Sequence, residues 1–325
     1  MSFFSFLHSQ LFASLPKPTD SFAGKTILVT GSNVGLGKEA ARHFVRQGAS
    51  KVILAVRSTS KGEAAQRDIE SSTGKSGVID VWTLDMASYA SVLAFAERAE
   101  KELDRLDVAI LNAGVARGKW EVFEQDEATI TVNVVSTLLL SFALLPTLKR
   151  TAAKHNVRPN LTIVASEVHA WAKFEERHAP PGQLYERLNQ KNDSESALAE
   201  RYQVSKLLEV LFIRAMADRR PASQIPVTIN CVNPGLCHSE LSREAGIALT
   251  IMKFFLARST ELGSRTLVHA GTQGPETHGQ YMSDCRITPP SDFVLSKEGY
   301  EAQERVWKET VERLEGIKKG ITEGF

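Results

Sequence analysis

Six short runs of apolar, largely β-branched residues recur along this chain with helical segments between them, and that alternation leaves few folds open to it. Thr26–Thr30, Lys51–Ala55, Val78–Leu84, Val108–Leu111, Leu161–Ala165 and Val227–Val232 are nearly continuous in apolar character. A strand with one wet face alternates apolar and polar residues; runs like these belong to strands buried on both faces. Helical patterns cover Lys38–Gln47, Gly62–Ser71, Tyr89–Leu103, Thr129–Lys149 and Ala199–Arg219. This order predicts an α/β fold, a doubly wound parallel sheet flanked by helices, with ligands at the carboxyl ends of its strands. A weaker run at Gly279–Met282 supplies a seventh strand.

The first strand runs directly into Thr30-Gly31-Ser32-Asn33-Val34-Gly35-Leu36-Gly37, and a helix starts at Lys38. Glycines allow a tight turn and a close backbone approach, and the helix N-terminus offers free N–H groups to a pyrophosphate. Gly31, Ser32, Asn33, Gly35, Leu36, Gly37 and Lys38 are therefore expected to cradle a dinucleotide on a Rossmann-type fold. Enzymes that take NAD carry an acid about 20 residues further on, at the end of the second strand, to hold the ribose 2′-OH. Here Arg57 and Ser58 stand there. A guanidinium pairs with a 2′-phosphate and cannot accept from a hydroxyl, so NADP(H) is the expected cofactor, with Lys38 and Ser58 assisting Arg57. The other reading of Arg57 is a solvated loop charge.

Tyr202 and Lys206 form a Y-x-x-x-K pair within the Ala199–Arg219 helix. Residues four apart share a helix face, so ammonium and phenol can share a site. A free phenol ionises near pH 10 and is a poor base at neutrality; a neighbouring cation favours its phenolate. Alone, the pair could be two neighbours on a surface helix.

With the spacing T-G-x-x-x-G-x-G at Thr30–Gly37, the sequence resembles the short-chain dehydrogenase/reductase family over about residues 20–285. The resemblance extends to Asp85 after the third strand, Asn112-Ala113-Gly114 after the fourth, Asn133 in the next helix, Ser166 after the fifth strand, and Asn233-Pro234-Gly235 with Ser239 after the sixth. It implies that Tyr202 protonates the substrate oxygen, Ser166 polarises that oxygen, and Lys206 orients the ribose. Asn133 would hold a water of the proton relay and Asp85 would cap the adenine pocket. Asn112, Ala113 and Gly114 would support the cofactor, and Pro234, Gly235 and Ser239 would meet its carboxamide. The implied reaction is hydride transfer between NADP(H) and a ketone or secondary alcohol. Family members also often pair through the helices around Thr129–Lys149 and Ala199–Arg219, so monomer and homodimer both remain open.

One domain at 21–290 is expected, with an N-terminal helical extension at 1–20 and a helical tail at 291–325. Two stretches exceed the minimal alternation: a polar insert at 171–198, beside the site, and a substrate loop at 236–259 with an apolar run at Ile247–Leu256. Long excursions of this kind serve as lids or binding loops. Met252, Phe254, Phe255 and Leu256 fit either a substrate tunnel or plain packing. His169 and His238 fit either the pocket or a structural or solvent-facing role. In the tail, Lys297–Lys318 reads as a helix with Tyr300, Val306, Trp307 and Leu314 inward and its charges on a solvated face.

At the N-terminus, positions 4, 7, 11, 12 and 15 make an apolar helical stripe, which Pro16 and Pro18 then stop. It is too short to span a bilayer. Packing on the domain's own surface is the first reading; membrane contact through residues 3–15, or a lid over an apolar pocket, are the others. A net charge of +1 gives no field for nucleic acid, and the odd count of three cysteines fits a reducing, cytoplasmic setting. No His, Cys or Asp grouping has metal-ligand spacing. The lengthening at the insert resembles that of retinol-dehydrogenase-like and fungal biosynthetic members of the family, and with the apolar N-terminus it implies a bulky lipophilic carbonyl of polyketide, terpenoid or retinoid-like character. Rival uses of the scaffold are an isomerase, dehydratase or cyclase, or an NADP(H)-sensing regulator.

Overall fold

β1 (Thr26–Thr30) is buried at every position, because it lies at the centre of an eight-stranded sheet. The computed structural model describes residues 3–238 and 256–325. The other strands are β2 (Lys51–Val56), β3 (Ile79–Thr83), β4 (Val108–Leu111), β5 (Asn160–Val164), β6 (Thr228–Asn233), β7 (Tyr281–Ser283) and β8 (Arg286–Ile287). They stand in the order β8–β7–β6–β5–β4–β1–β2–β3. Every pairing is parallel except that of β7 with β8, a two-residue strand that the sequence reading omits. The order reverses between β1 and β4, which creates the crevice where doubly wound sheets bind ligands.

Side chains alternate across the sheet and build two cores. Ile27, Val29, Val52, Leu54 and Ile110 face the side covered by α2 (Gly35–Arg46), α3 (Thr59–Thr73) and α8 (Thr260–Ala270). Leu28, Ile53, Ala109, Leu161 and Ile163 face the side covered by α4 (Tyr89–Glu102), α5 (Thr137–His155), α7 (Glu195–Arg219) and α9 (Lys297–Ile317). The helical stretch Ile130–His155 is long and apolar enough to cross a membrane, yet it is a buried core element.

Three expectations need correction. The helix foreseen from Thr129 opens as a π-helical segment, Ile130–Ser136, before α5 takes over. Its turns are too wide for the 3.6-residue period to reveal, since every residue in it is buried and no apolar stripe marks its winding. The N-terminal helix α1 (Phe3–Phe12) packs on the domain, but it ends before the prolines and the expected stripe is covered only in part, with Leu15 buried beyond the helix and Leu7 half-buried. Phe6 and Gln10 are buried, whereas Leu11 and Phe12 face solvent, 54% and 73% exposed. In α9, Val306 and Leu314 face inward as expected and Trp307 is partly buried, but Tyr300 is exposed because the inward row passes through Gly299, Ala302 and Gln303.

The charges of α9 are not all solvated either. Glu309 accepts from the backbone N–H groups of Gly182 and Leu184, at 3.1 and 2.7 Å, and so caps the start of α6 (Leu184–Leu188). Arg305 donates to the carbonyls of Arg177, Ala179 and Pro180, and Tyr185 shares a 2.8 Å hydrogen bond with Thr310. The insert at 171–198 is thereby built onto the tail helix.

Candidate active site

The turn after β1 has the shape its glycines allow. Gly31 and Gly35 both have φ of +64°, in the left-handed region. A Cβ on Gly37 would lie 2.6 Å from Asn112 Nδ2 and 2.8 Å from the Gly31 carbonyl, so only glycine lets α2 begin this close to β4. Asn112 Nδ2 donates to the Thr30 and Gly31 carbonyls, and Ala113 N donates to Thr30 Oγ1. The Asn112-Ala113-Gly114 turn thus braces the loop from the neighbouring strand. The Ser32 hydroxyl is spent inward on the Val29 carbonyl, and Leu36 packs on the core, so these two offer backbone rather than side chains. Val34, at the N-cap of α2, supplies no side-chain cap and its first turn carries no acid, which leaves the turn's N–H groups and Asn33 beside an open crevice.

At the end of β2, Arg57 is exposed, and no ion pair holds it among the described residues. Ser58 caps α3 and bonds Ser60 at 3.1 Å. Lys38 is less free than expected: it pairs with Asp68 at 2.8 Å, and Lys38 and Arg42 together hold the Asp68 carboxyl at about 2. Asp85 accepts from Ala87 N in the turn that leads into α4.

Across the crevice, α7 brings Tyr202 beside Ser166, close enough for its hydroxyl to favour the phenolate slightly. Lys206 Nζ lies 5.9 Å from the Tyr202 ring centroid. Burial raises the phenol above its ordinary range, and the Lys206 ammonium offsets this only in part. The lowered phenol foreseen from the sequence also drew on the charge of an oxidised nicotinamide, and in the protein alone desolvation prevails. Burial pulls Lys206 down, but the opposing pull of Glu209 and Tyr202 outweighs it and the ammonium is stabilised. A Cβ on Gly114 would meet Asn133 Oδ1 at 3.2 Å and Lys206 Nζ at 3.8 Å, so the cofactor turn, the π-segment and the lysine converge.

Asn133 sits in that π-segment and is tied on every side. Its Oδ1 accepts from Val115 N at 2.8 Å, while its Nδ2 donates to Val115 O and to Ser205 Oγ. The side chain therefore bolts the turn after β4 to α7.

Three residues that the sequence reading passes over or leaves open support this arrangement. His169 is buried, its Nε2 accepting from Ser291 N at 3.1 Å. That fixes the proton on Nδ1, which donates to the Ser166 carbonyl at 2.7 Å. Desolvation holds the ring down at about 4, so it stays neutral. Asn233 Oδ1 accepts from both Glu167 N and Gly235 N, joining the turn after Ser166 to the Pro234-Gly235 turn. Glu209 lies one turn beyond Lys206 and pairs with it at 2.9 Å; its spacing of three on the catalytic helix face was the available signal.

The wall nearest Gly235 comes from α1. Gly235 has φ of +78°, and a Cβ there would strike Gln10 Oε1 at 2.5 Å and Arg258 Nη1 at 2.6 Å. Gln10 donates to the Leu236 and Leu256 carbonyls and accepts from Leu236 N. Arg258 pairs with Asp284 at 2.7 Å, and Phe6 packs edge-on against Trp171. Ser239, Met252, Phe254 and Phe255 lie outside the described residues.

Residues 25–157 match the model of the family described as short chain dehydrogenase. The short chain dehydrogenase/reductase dmxR8 of Cryptosporiopsis sp. (strain 8999) is 57% identical over 322 residues, covering 98% of this chain and 99% of its own. The short-chain dehydrogenase anuD of Penicillium roqueforti is 42% identical over 99% of this chain and 85% of its own. Among solved structures, a short chain dehydrogenase of Escherichia coli CFT073 complexed with NADPH superposes with a TM-score of 0.59, covering 82% of this chain and 99% of that one at 24% identity. Sequence likeness along almost the entire chain, joined to a phosphate loop and a Ser–Tyr–Lys cluster in one crevice, settles the kinship: the chain belongs to the short-chain dehydrogenase/reductase family.

Proposed function

We propose that this oxidoreductase uses NADP(H) and that its working reaction is the reduction of a bulky, lipophilic ketone. The observation that carries the reading is the meeting of Ser166, Tyr202 and Lys206 at the carboxyl end of the sheet, opposite a glycine turn and an unpaired Arg57. The cofactor fits the residues present. The uncapped first turn of α2 suits a pyrophosphate, and Arg57 with the hydroxyl-rich start of α3 suits a 2′-phosphate. Gly31, Ser32, Asn33, Gly35, Leu36 and Gly37 would line the pyrophosphate, with Lys38 secondary because of Asp68. Asp85, Asn112, Ala113 and Gly114 would border the adenosine side, and Pro234, Gly235 and Ser239 the nicotinamide side.

When bound, the nicotinamide supplies the hydride. Tyr202 gives its phenolic proton to the carbonyl oxygen as negative charge develops there, and the Ser166 hydroxyl stabilises that charge. Lys206 steadies the phenolate left behind, and Asn133 is proposed to link the site to a water that refills the proton. The preference for bulky apolar ketones is supported by the insert at 171–198 and by α1, which add walls beside Ser166 and Gly235. With α9 covering α7, the protein is proposed to act as a monomer in the cytoplasm.

Titration with NADPH and NADH tests the cofactor. Arg57→Ala should weaken NADPH binding by about 10- to 100-fold, the worth of a charge-assisted hydrogen bond, and leave NADH unchanged. Tyr202→Phe should bind NADPH normally and lose about 10²- to 10⁴-fold in turnover. Absence of any nucleotide binding, or a Tyr202→Phe variant that turns over normally, would overturn the reading. A wild-type protein that bound NADPH and NADH alike would overturn the cofactor choice alone. Small polar ketones reduced faster than bulky apolar ones would sink the substrate class.

A further inference from the structure

We propose that Glu209 is a positioning residue of this reaction, whose buried carboxylate holds Lys206 from behind and sets how readily Tyr202 releases its proton. The proposal rests on the reading of Ser166, Tyr202 and Lys206 as the reacting cluster. An ammonium has three N–H bonds. Lys206 gives one to the Val164 carbonyl at 2.8 Å and one to Glu209 Oε1 at 2.9 Å. The cation is thus fixed between the end of β5 and its own helix, with one N–H left for the side on which Tyr202 lies.

The pair is shielded from water: the Lys206 side chain is 6% exposed and that of Glu209 only 2%. Charges so placed interact through a poorly screening medium. A carboxylate beside the ammonium weakens the field that the ammonium exerts on the phenol, and it also opposes a phenolate directly. Stability alone explains such a pair poorly, since desolvating two ions cancels much of their attraction. Among the described residues Glu209 Oε2 has no hydrogen-bond partner, so they leave part of the carboxylate unused.

Few other charges complicate the site. Lys206 and Tyr202 face Glu209 from α7. From β6 comes Cys231, whose thiol burial and the Glu209 charge push far up, so that it stays neutral. Arg214, also on α7, acts on Cys231. Ser166 and Asn133, contributed by the turn after β5 and by the π-segment, carry no charge. Burial raises the Glu209 carboxyl above the ordinary carboxylate range, and Lys206 opposes that rise.

Glu209→Gln keeps the size and removes the charge. The readout is phenolate absorbance during a pH titration of the protein without cofactor, with Tyr202→Phe as the subtracted blank. In Glu209→Gln the Tyr202 transition should move to lower pH. Alcohol oxidation below the transition should rise about threefold, if the phenolate fraction grows about tenfold and half of that gain is lost to weaker basicity. Glu209→Asp, which keeps the anion, should stay close to the wild type. An unmoved Tyr202 transition in a folded, NADPH-binding Glu209→Gln protein would overturn the proposal. If the glutamine variant does not fold, carboxyl ¹³C spectra of the wild type and of Lys206→Met decide: a buried glutamate whose titration shifts on loss of the lysine supports the pairing, and none refutes it. Full turnover in Tyr202→Phe would instead show that the reading of the cluster is wrong, whatever Glu209 does.

Discussion

Tyr202, the proposed proton donor, is kept protonated by its surroundings. Burial raises the phenol above its ordinary range, and Lys206 returns only part of that shift. The expected consequence is a reduction rate that stays flat through neutral pH and falls only on the alkaline side, while oxidation of the matching alcohol climbs as pH rises. Initial rates in both directions across a pH series check this; a reduction rate that drops between pH 6 and 8 would contradict it. Tyr202, Lys206 and Ser166 were legible because helical spacing and strand ends place them. Their supports were not, since a histidine or glutamate gives no sign in sequence of which backbone carbonyl or ammonium it will meet. His169 shows the difference. Its unfolded ring takes a proton near pH 6.5 and its folded ring only at about 4. The neutral ring therefore favours the folded state fully above pH 6.5, and up to about 3 kcal/mol is lost as pH falls from 6.5 to 4. Glu167 and Glu209, both lifted to about 7, act in the opposite sense, but they remain in a His169→Gln protein and cancel in the comparison. Urea unfolding should show the wild type losing more stability than His169→Gln across that window.

The strands were readable in the sequence almost residue for residue, because a strand buried on both faces leaves a continuous apolar run. Elements with mixed demands were not. The N-terminal helix illustrates why: its inward face contains Gln10, a polar residue chosen to satisfy backbone groups rather than to bury carbon. An apolar-stripe argument turns such a helix the wrong way and predicts that Leu11 and Phe12 are covered. The structure puts Gln10 between Leu236 and Leu256, on both sides of the segment that follows the Pro234-Gly235 turn. Gln10→Ala would remove the side-chain partner of Leu236 N and of the Leu256 carbonyl in a nearly buried place, while the Leu236 carbonyl keeps Arg258 N, at a cost of about 1–3 kcal/mol for each group that water cannot reach. We expect a lower urea midpoint, with NADPH affinity little changed. An unaltered midpoint would mean that α1 rests on the domain without bracing it.

In the molecule as a whole, the tail helix α9 covers the surface that the family resemblance offers for pairing. Sequence alone left monomer and homodimer open, because the family resemblance made α5 and α7 pairing surfaces that the apolar N-terminal helix and the charged tail could block or replace. In the structure, Trp307 of α9 stacks on Phe212 of α7 with centroids 4.8 Å apart and 25° between the rings. Phe142 of α5 meets Trp307 and Phe325, and Arg219 lies 4.5 Å over the Trp307 ring. Arg219 also pairs with Glu304, and Gln303 donates to Asp218 at 2.7 Å. A face sealed this way cannot also receive the same face of a second copy, so the protein should sediment as a monomer of 35.8 kDa. Trp307→Ala should cost about 3 kcal/mol by emptying the space between two phenylalanines, less if the half-buried site lets water in. Removing residues 297–325 should go further, uncovering the Phe142–Phe212 face and freeing the insert that Glu309 and Arg305 hold. That truncated chain should dimerise or aggregate and lose activity towards bulky ketones before it loses NADPH binding, because the phosphate loop lies on the opposite side of the sheet. A wild-type protein that already sediments as a dimer, and keeps that state when the tail is removed, would place the pairing surface elsewhere and leave α9 as a support for the insert alone.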